Sequence, residues 1–583
     1  MRRHKPPFTI FPISAKIKTF LKLLNHDAGA KNPIPFLSRT KQEGLSKMIT
    51  ARKIFPLLTL CFIAVGGYFI HKFYNKHSLL RRYQCIVSKE REVNERPTTP
   101  PPARAISSKK GNTWLDVQRQ VKDTVVQVYS QVSEFNWLEP YKTPEQAEGV
   151  GSGFFINERG DIITNYHVVA QACCVQIQIP SFGLERFDVE VVGVSPERDI
   201  ALLKLTNESR EKITAQLSKI PFLELGDSDQ VLRSQEVLAL GYPLGQTRLK
   251  STLGIVSGRE RLGYFGYIQI TAPLNRGNSG GPALNTNGEV VGINSCGVTE
   301  AQNVGYIIPI NEVKTALKDL YKVKLLRKPS LGCIFTFSTP ELVRYFGNPP
   351  DGGWYIAKVF EETLMESIGI QENDMLYEVN GYKVDMYGEL IVPWSEDKIS
   401  LFELLNRFTV GDEIHFVIYR KGEKKIFNFK LTHKYLPPVR AVYPEFEPEA
   451  TDYDIIGGLV VMQLTLNHVP QLLSRVPDLV RFGRPEMQHE PTLIITHVLP
   501  NSQAYKARVL RPGEIIEEVN SVPVKTLTDF REAVKLSKKS RFLTIRTTDK
   551  LYGALAVDKV VKDEDMLAAR YFYKKSPLVD AIA

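Results

Sequence analysis

The chain is poor in the residues that hold metals or staple small folds. Its six cysteines in 583 residues (Cys61, Cys85, Cys173, Cys174, Cys296, Cys333) show neither metal-ligand spacing nor the density of a disulfide scaffold. Cys173 and Cys174 are adjacent, so on a strand they point to opposite faces, and both are expected to be small buried residues. A glycine-rich phosphate loop is missing as well, which argues against nucleotide-fuelled work by this chain. Acid is scarce at one end only. Residues 1–110 carry 22 Lys+Arg against 5 Asp+Glu, while the rest carries 53 against 59. The net charge of +11 is therefore a property of a leader, not of a groove on the folded body, and no nucleic-acid partner is expected. Long apolar runs are rare too. Ile54 to Ile70 is an uncharged run of 17, at the lower limit for a membrane span. No small-residue cleavage site follows it, so an uncleaved anchor is expected, with a cleaved signal peptide or an organellar transit peptide as alternatives. Met48 offers a second start codon just before that run. Each flank of the run holds five Lys+Arg within 20 residues, so the positive-inside count does not orient it.

What is present begins with Asn275-Arg276-Gly277-Asn278-Ser279-Gly280-Gly281-Pro282. A serine hydroxyl is a poor nucleophile at neutral pH; it needs a base, and the oxyanion it creates needs donors. Small residues around Ser279 let the backbone turn tightly and aim the amides of Gly277 and Ser279 at one point. A glycine-rich turn between strands would read the same way, so upstream partners decide. Asp161 to Val169 is a β-rich run with His167 at the end of its strand, and Asp199 opens the apolar strand Ile200–Leu205. The order His, Asp, Ser is that of chymotrypsin-like enzymes, and differs from subtilisins and α/β-hydrolases.

The segments TNYHVV, ERDIALLKL, LELGDSD and NRGNSGGPALNTNGEVVGIN resemble the HtrA/Deg serine proteases, from about Val121 to Leu320 and more weakly to the C-terminus. The resemblance implies that His167 is the general base, that Asp199 orients it, that Ser279 attacks the scissile carbonyl, and that the Gly277 and Ser279 amides form the oxyanion hole. It implies no metal or organic cofactor. It implies an ATP-independent endopeptidase acting on unfolded or damaged proteins, a homotrimer or trimer-based assembly, and an extracytoplasmic location. A chaperone or peptide-binding protein with a latent protease fold is the alternative. Two residues depart from the pattern: Thr271 stands where many members have aspartate, and Arg276 where proline is usual. The primary specificity pocket is expected from Ala272, Pro273 and Leu274 on one side and Ile293, Asn294 and Ser295 on the other. None is acidic, which favours small or medium aliphatic side chains over Lys or Arg.

The expected fold is mainly β. A basic leader (1–53), an anchor (54–70) and a linker (71–112) with a proline-rich end precede a double β-barrel protease domain (113–325). Short strands at regular spacing with Gly and Pro between them carry that reading. A helix is expected at Gly111–Lys122 and another at Asn311–Val323. Beyond it a pattern occurs twice: Asp374 to Gly381 matches Glu514 to Ser521 at an offset of 140. Both stretches resemble PDZ domains, one at 328–435 and a divergent one at 436–583. By that resemblance Leu331, Gly332 and Cys333 form the loop that captures peptide C-termini, and Ile456-Gly457-Gly458-Leu459 is its counterpart.

Overall fold

The structure is a computed structural model that describes residues 113–297, 303–432 and 435–583. The expected leader, anchor and linker lie outside these residues. No helix among the described residues is long and apolar enough to cross a membrane.

Two closed six-stranded barrels follow the helix Thr113–Gln120. The first contains β1 (Val125–Glu134), β2 (Glu145–Phe155), β3 (Asp161–Thr164), β4 (Ala172–Gln178), β5 (Arg186–Ser195) and β6 (Ile200–Leu205). The second contains β7 (Glu236–Gly241), β8 (Lys250–Leu262), β9 (Phe265–Ile270), β10 (Pro282–Leu284), β11 (Val290–Gly297) and β12 (Gly305–Pro309). Runs such as Ile200–Leu205 are buried on both faces because one face fills a barrel and the other meets the neighbouring barrel or helix. Phe154, Ile163, Leu202, Leu240, Ile293 and Ile308 join one core between the barrels, closed by the helix Ile310–Leu320. Strand β2 starts as far back as Glu145, and β8 runs on to Leu262. Their polar extensions carry no apolar alternation, and pairing with β1 and β9 holds them extended. Cys174 is partly buried and Cys173 is exposed, so the expectation that both are buried fails at the outward-facing position.

Two further β bodies follow. The first is a sheet in the order Cys333–Thr336, Trp354–Val359, Met375–Val379, Glu413–Arg420, Glu423–Lys430. The second repeats that order with Leu459–Gln463, Leu493–Val498, Ile515–Val519, Phe542–Thr547 and Tyr552–Ala556, and adds Tyr453–Ile456 at its edge. The offset of 140 is a structural repeat. Asn380 donates its amide to the His415 carbonyl and accepts the His415 amide on its side chain; Asn520 does the same with Thr544. Gly332 and Gly458 likewise accept from the Phe360 and Leu499 amides. Gly457-Gly458, both at positive φ, make a two-residue hairpin turn between paired strands, Ile456 facing Leu459.

The β1–β2 connection ties the first barrel to the last body. Trp137 is buried among Val439, Val442, Met462, Leu472 and Phe482, with its ring edge-on to His468 at 5.3 Å.

Candidate active site

Strand β3 stops at Thr164, and His167 lies in a one-turn helix, Tyr166–Val169. This corrects the expected strand ending at the histidine. Asn165 stands at the helix start, but its side chain donates to the Asp199 carbonyl at 2.8 Å instead of capping the helix. Asp199 follows the tight turn Pro196–Arg198 and is left-handed, φ 56° and ψ 44°. For a non-glycine residue that conformation costs on the order of 1–3 kcal/mol and persists only where neighbours over-determine it. They do so here. The Asp199 amide donates to Pro196, and its carboxylate accepts the His167 amide at 3.0 Å and His167 Nδ1 at 2.8 Å. Ser295 Oγ adds a third donor at 3.3 Å. Nδ1 thus carries its proton toward Asp199, leaving Nε2 as the free base. The imidazole keeps about half its surface open (51%). Protein crowds its other sides, and this desolvation disfavours the imidazolium; the Asp199 carboxylate outweighs it and holds the pKa above the ordinary histidine value, with Arg276 acting against the shift.

Ser279 lies on the β9–β10 connection. Gly277 has φ 98°, and a Cβ there would collide with the Tyr242 carbonyl; one at Gly280 would strike Ser152 and Thr164. The Arg276 carbonyl accepts from the Leu244 amide at 2.5 Å, and the Asn278 carbonyl accepts from Gly281 at 3.0 Å. In a trans peptide the N–H points opposite to the C=O. These two bonds therefore fix the directions of the Gly277 and Ser279 amides, and neither amide has a backbone acceptor among the described residues. Ser152 Oγ locks the intervening peptide, donating to Gly277 O at 2.6 Å and accepting from Tyr242 N at 3.0 Å.

The serine hydroxyl donates to the Ser295 carbonyl at 3.0 Å. That acceptor is available because β11 bulges there: Asn294 faces Ile307 and Cys296 faces Tyr306, leaving Ser295 without a cross-strand partner. Among the described residues no hydrogen bond joins His167 to Ser279. Catalytic hydrogen bonds are often this loose before substrate arrives.

The trypsin-like peptidase domain family matches residues 151–293, which include all three residues of this constellation. A probable periplasmic serine endoprotease DegP-like of Pseudomonas putida is 28% identical over 408 residues, 69% of this chain and 77% of that protein. A protein of the same description from Bartonella henselae is 28% identical over 68% of this chain and 73% of its own length. Over most of its length the chain is similar to DegP-like serine endoproteases. Among solved structures, the HtrA-type protease AlgW with decapeptide is 23% identical with a TM-score of 0.43, covering 56% of this chain and 99% of that one.

The structure places the other expected site residues unevenly. Ala272 and Ile293 are fully buried in barrel cores. Asn294 is 1% exposed. Its backbone bonds Gly280 and Gly281, and its side chain reaches the Leu240 carbonyl at 3.0 Å, so it tethers the serine loop. Ile293 and Asn294 point to opposite faces of β11, and both faces are covered there, which a count of positions from the nucleophile does not register. Pro273 is exposed and Leu274 partly so. Ser295 bridges Ser279 and Asp199, through its carbonyl and its hydroxyl. Thr271 bonds Ile255 through both its amide and its hydroxyl, which ties β8 to the start of the serine loop. Leu331 is buried and Gly332 has φ 74°. The carbonyls of these two residues accept from Met365, Phe360 and Thr363. Cys333 opens the edge strand, and burial pushes its thiol pKa up. Ser152, Asn165 and Tyr242 escaped the sequence reading. The one signal for Ser152 was its place in Gly151-Ser152-Gly153, where a small buried polar residue faces the serine loop.

Proposed function

We propose that Ser279 is the nucleophile, His167 the general base and Asp199 the residue that orients it. The pairing of His167 Nδ1 with Asp199 at 2.8 Å, beside a serine on a glycine turn with two directed amides, carries this reading. The hydroxyl of Ser279 swings from the Ser295 carbonyl to His167 Nε2, loses its proton there and attacks the peptide carbonyl. The amides of Gly277 and Ser279 receive the developing oxyanion, where one preorganised donor is worth about 3 kcal/mol. The imidazolium then returns the proton to the leaving amine, and water repeats the sequence on the acyl-enzyme.

The substrates proposed are unfolded or damaged proteins, cut without nucleotide. The location is extracytoplasmic, the apolar run 54–70 serves as anchor, and the assembly is trimeric or trimer-based. The sheet bodies beginning near 328 and 436 are read as PDZ-like. The first would take peptide C-termini beside the edge strand Cys333–Thr336, through the amides of Leu331, Gly332 and Cys333. Casein digestion tests the assignment: Ser279→Ala should lower turnover by about four to six orders of magnitude and abolish labelling by a phosphonylating reagent. A clean Ser279→Ala preparation that still digests casein overturns it.

A further inference from the structure

The segment Arg440–Glu447, which leads into the last body, lies against both turns that carry the histidine–aspartate pair. On the histidine side, Glu445 Oε1 accepts the Tyr166 hydroxyl at 2.6 Å and the Gln171 amide at 3.2 Å. These two residues bracket the one-turn helix of His167. Tyr443 packs its ring edge-on to Tyr166 at 5.6 Å, and Phe446 packs on the first-barrel core. Gln171 itself has φ 54° and holds the start of the Trp137 loop, its side chain accepting from the Phe135 amide at 2.8 Å. On the aspartate side, Glu447 pairs with Arg327, which reaches Glu197 at 3.2 Å, two residues before Asp199. Arg327 also lies over the Tyr443 ring at 4.8 Å and donates to the Ala441 carbonyl at 3.0 Å.

A four-residue helix makes too few internal hydrogen bonds to hold its own orientation. Its position comes from what flanks it, and Glu445 binds a donor at each end. We propose that Glu445 is a positioning residue of the protease, fixing the His167 helix against Asp199 so that full activity requires the segment Arg440–Glu447 to be seated. The proposal rests on the reading of His167 as general base.

The groups facing His167 are Asp199, from the β5–β6 turn, and Arg276, from the serine loop. Those facing Tyr166 are Glu445, Tyr443 and Glu197. Loosening the helix weakens the Asp199 contact that raises the His167 pKa while Arg276 and the crowding still depress it. The test measures kcat, KM and the pH profile of the full chain on a fluorogenic peptide. Glu445→Ala should lower kcat roughly tenfold to a hundredfold with little change in KM, and move the acid limb of kcat/KM to lower pH. Glu445→Gln, whose amide oxygen accepts the same two donors, should recover most of that loss with the limb in its original place. Simple destabilisation lowers the amplitude and leaves the limb unmoved. The proposal is overturned by a kcat within about twofold of wild type in Glu445→Ala, by an unmoved limb, or by Glu445→Gln as impaired as Glu445→Ala. Should Glu445→Ala not fold, Tyr166→Phe decides, with a smaller loss and the same limb shift expected. His167→Ala separates the two readings: residual activity there removes the base assignment itself, whereas loss there beside an unaffected Glu445→Ala removes only this proposal.

Discussion

Replacing Asp199 by Asn keeps the shape of the side chain and inverts the chemistry of one oxygen. The carboxylate accepts three donors: the His167 amide, His167 Nδ1–H and Ser295 Oγ–H. An amide has one acceptor oxygen and one donor nitrogen. If the oxygen keeps the backbone amide of His167, the NH2 group faces Nδ1 and drives the imidazole into the tautomer with its proton on Nε2. The base then meets Ser279 already protonated. The expected loss in kcat is about 10⁴, or about 5.5 kcal/mol of transition-state stabilisation. The pH profile supplies an independent sign. Asp199 holds the His167 pKa above its ordinary value, while crowding and Arg276 pull it down. Activity requires neutral imidazole, so it rises with pH through that pKa. Without the carboxylate the acid limb must move to lower pH. Initial rates on a fluorogenic peptide from pH 5 to 9, with active-site titration, measure both effects. An Asp199→Asn enzyme within about tenfold of wild type, or one whose limb moves upward, refutes the argument.

Ser152→Ala removes the group shared by the Gly277 carbonyl and the Tyr242 amide. It should cost about 1–3 kcal/mol of stability by thermal or urea melting, and slow phosphonylation of Ser279 because the Gly277 peptide loses its brace. Burial pushes the Glu312 carboxyl up to about 7 against Arg198 and Arg407. Its folded pKa exceeds its unfolded value, so its contribution to stability is present below about pH 4.5 and falls as pH rises through about 7. Glu312→Gln should flatten the decline of Tm across that window, and an unchanged slope counts against it. Mass spectrometry of casein fragments should show cuts after Val, Ala, Ile or Leu, since Pro273 and Leu274, the expected pocket residues that reach the surface without bonding Ser279 or Asp199, carry no charge. A majority of cuts after Lys or Arg contradicts this.

His167, Asp199 and Ser279 stood out in the sequence because each stands in a short motif whose glycines or apolar neighbours constrain the local backbone. The repeat at offset 140 was legible for the same reason: a strand, an asparagine and a turn recur together. Position in the chain did not show which of the expected pocket residues are buried. Ile293 and Asn294 point to opposite faces of their strand, and both faces are packed, while the bulge brings Ser295 against Ser279 and Asp199. Nothing local marked Glu445 or Trp137, whose partners stand hundreds of residues away and are brought in only by the docking of whole bodies.

That docking has a consequence for how the chain can be divided. Trp137 belongs to the protease in sequence and to the last body in packing. Cutting near residue 435 would bare an indole side chain with on the order of 200 Å² of apolar surface, and would leave a hole between Val439, Met462 and Phe482. A fragment ending there should be stickier and less stable than the whole, and the last body made alone should lack part of its core. The beads of this string share their filling.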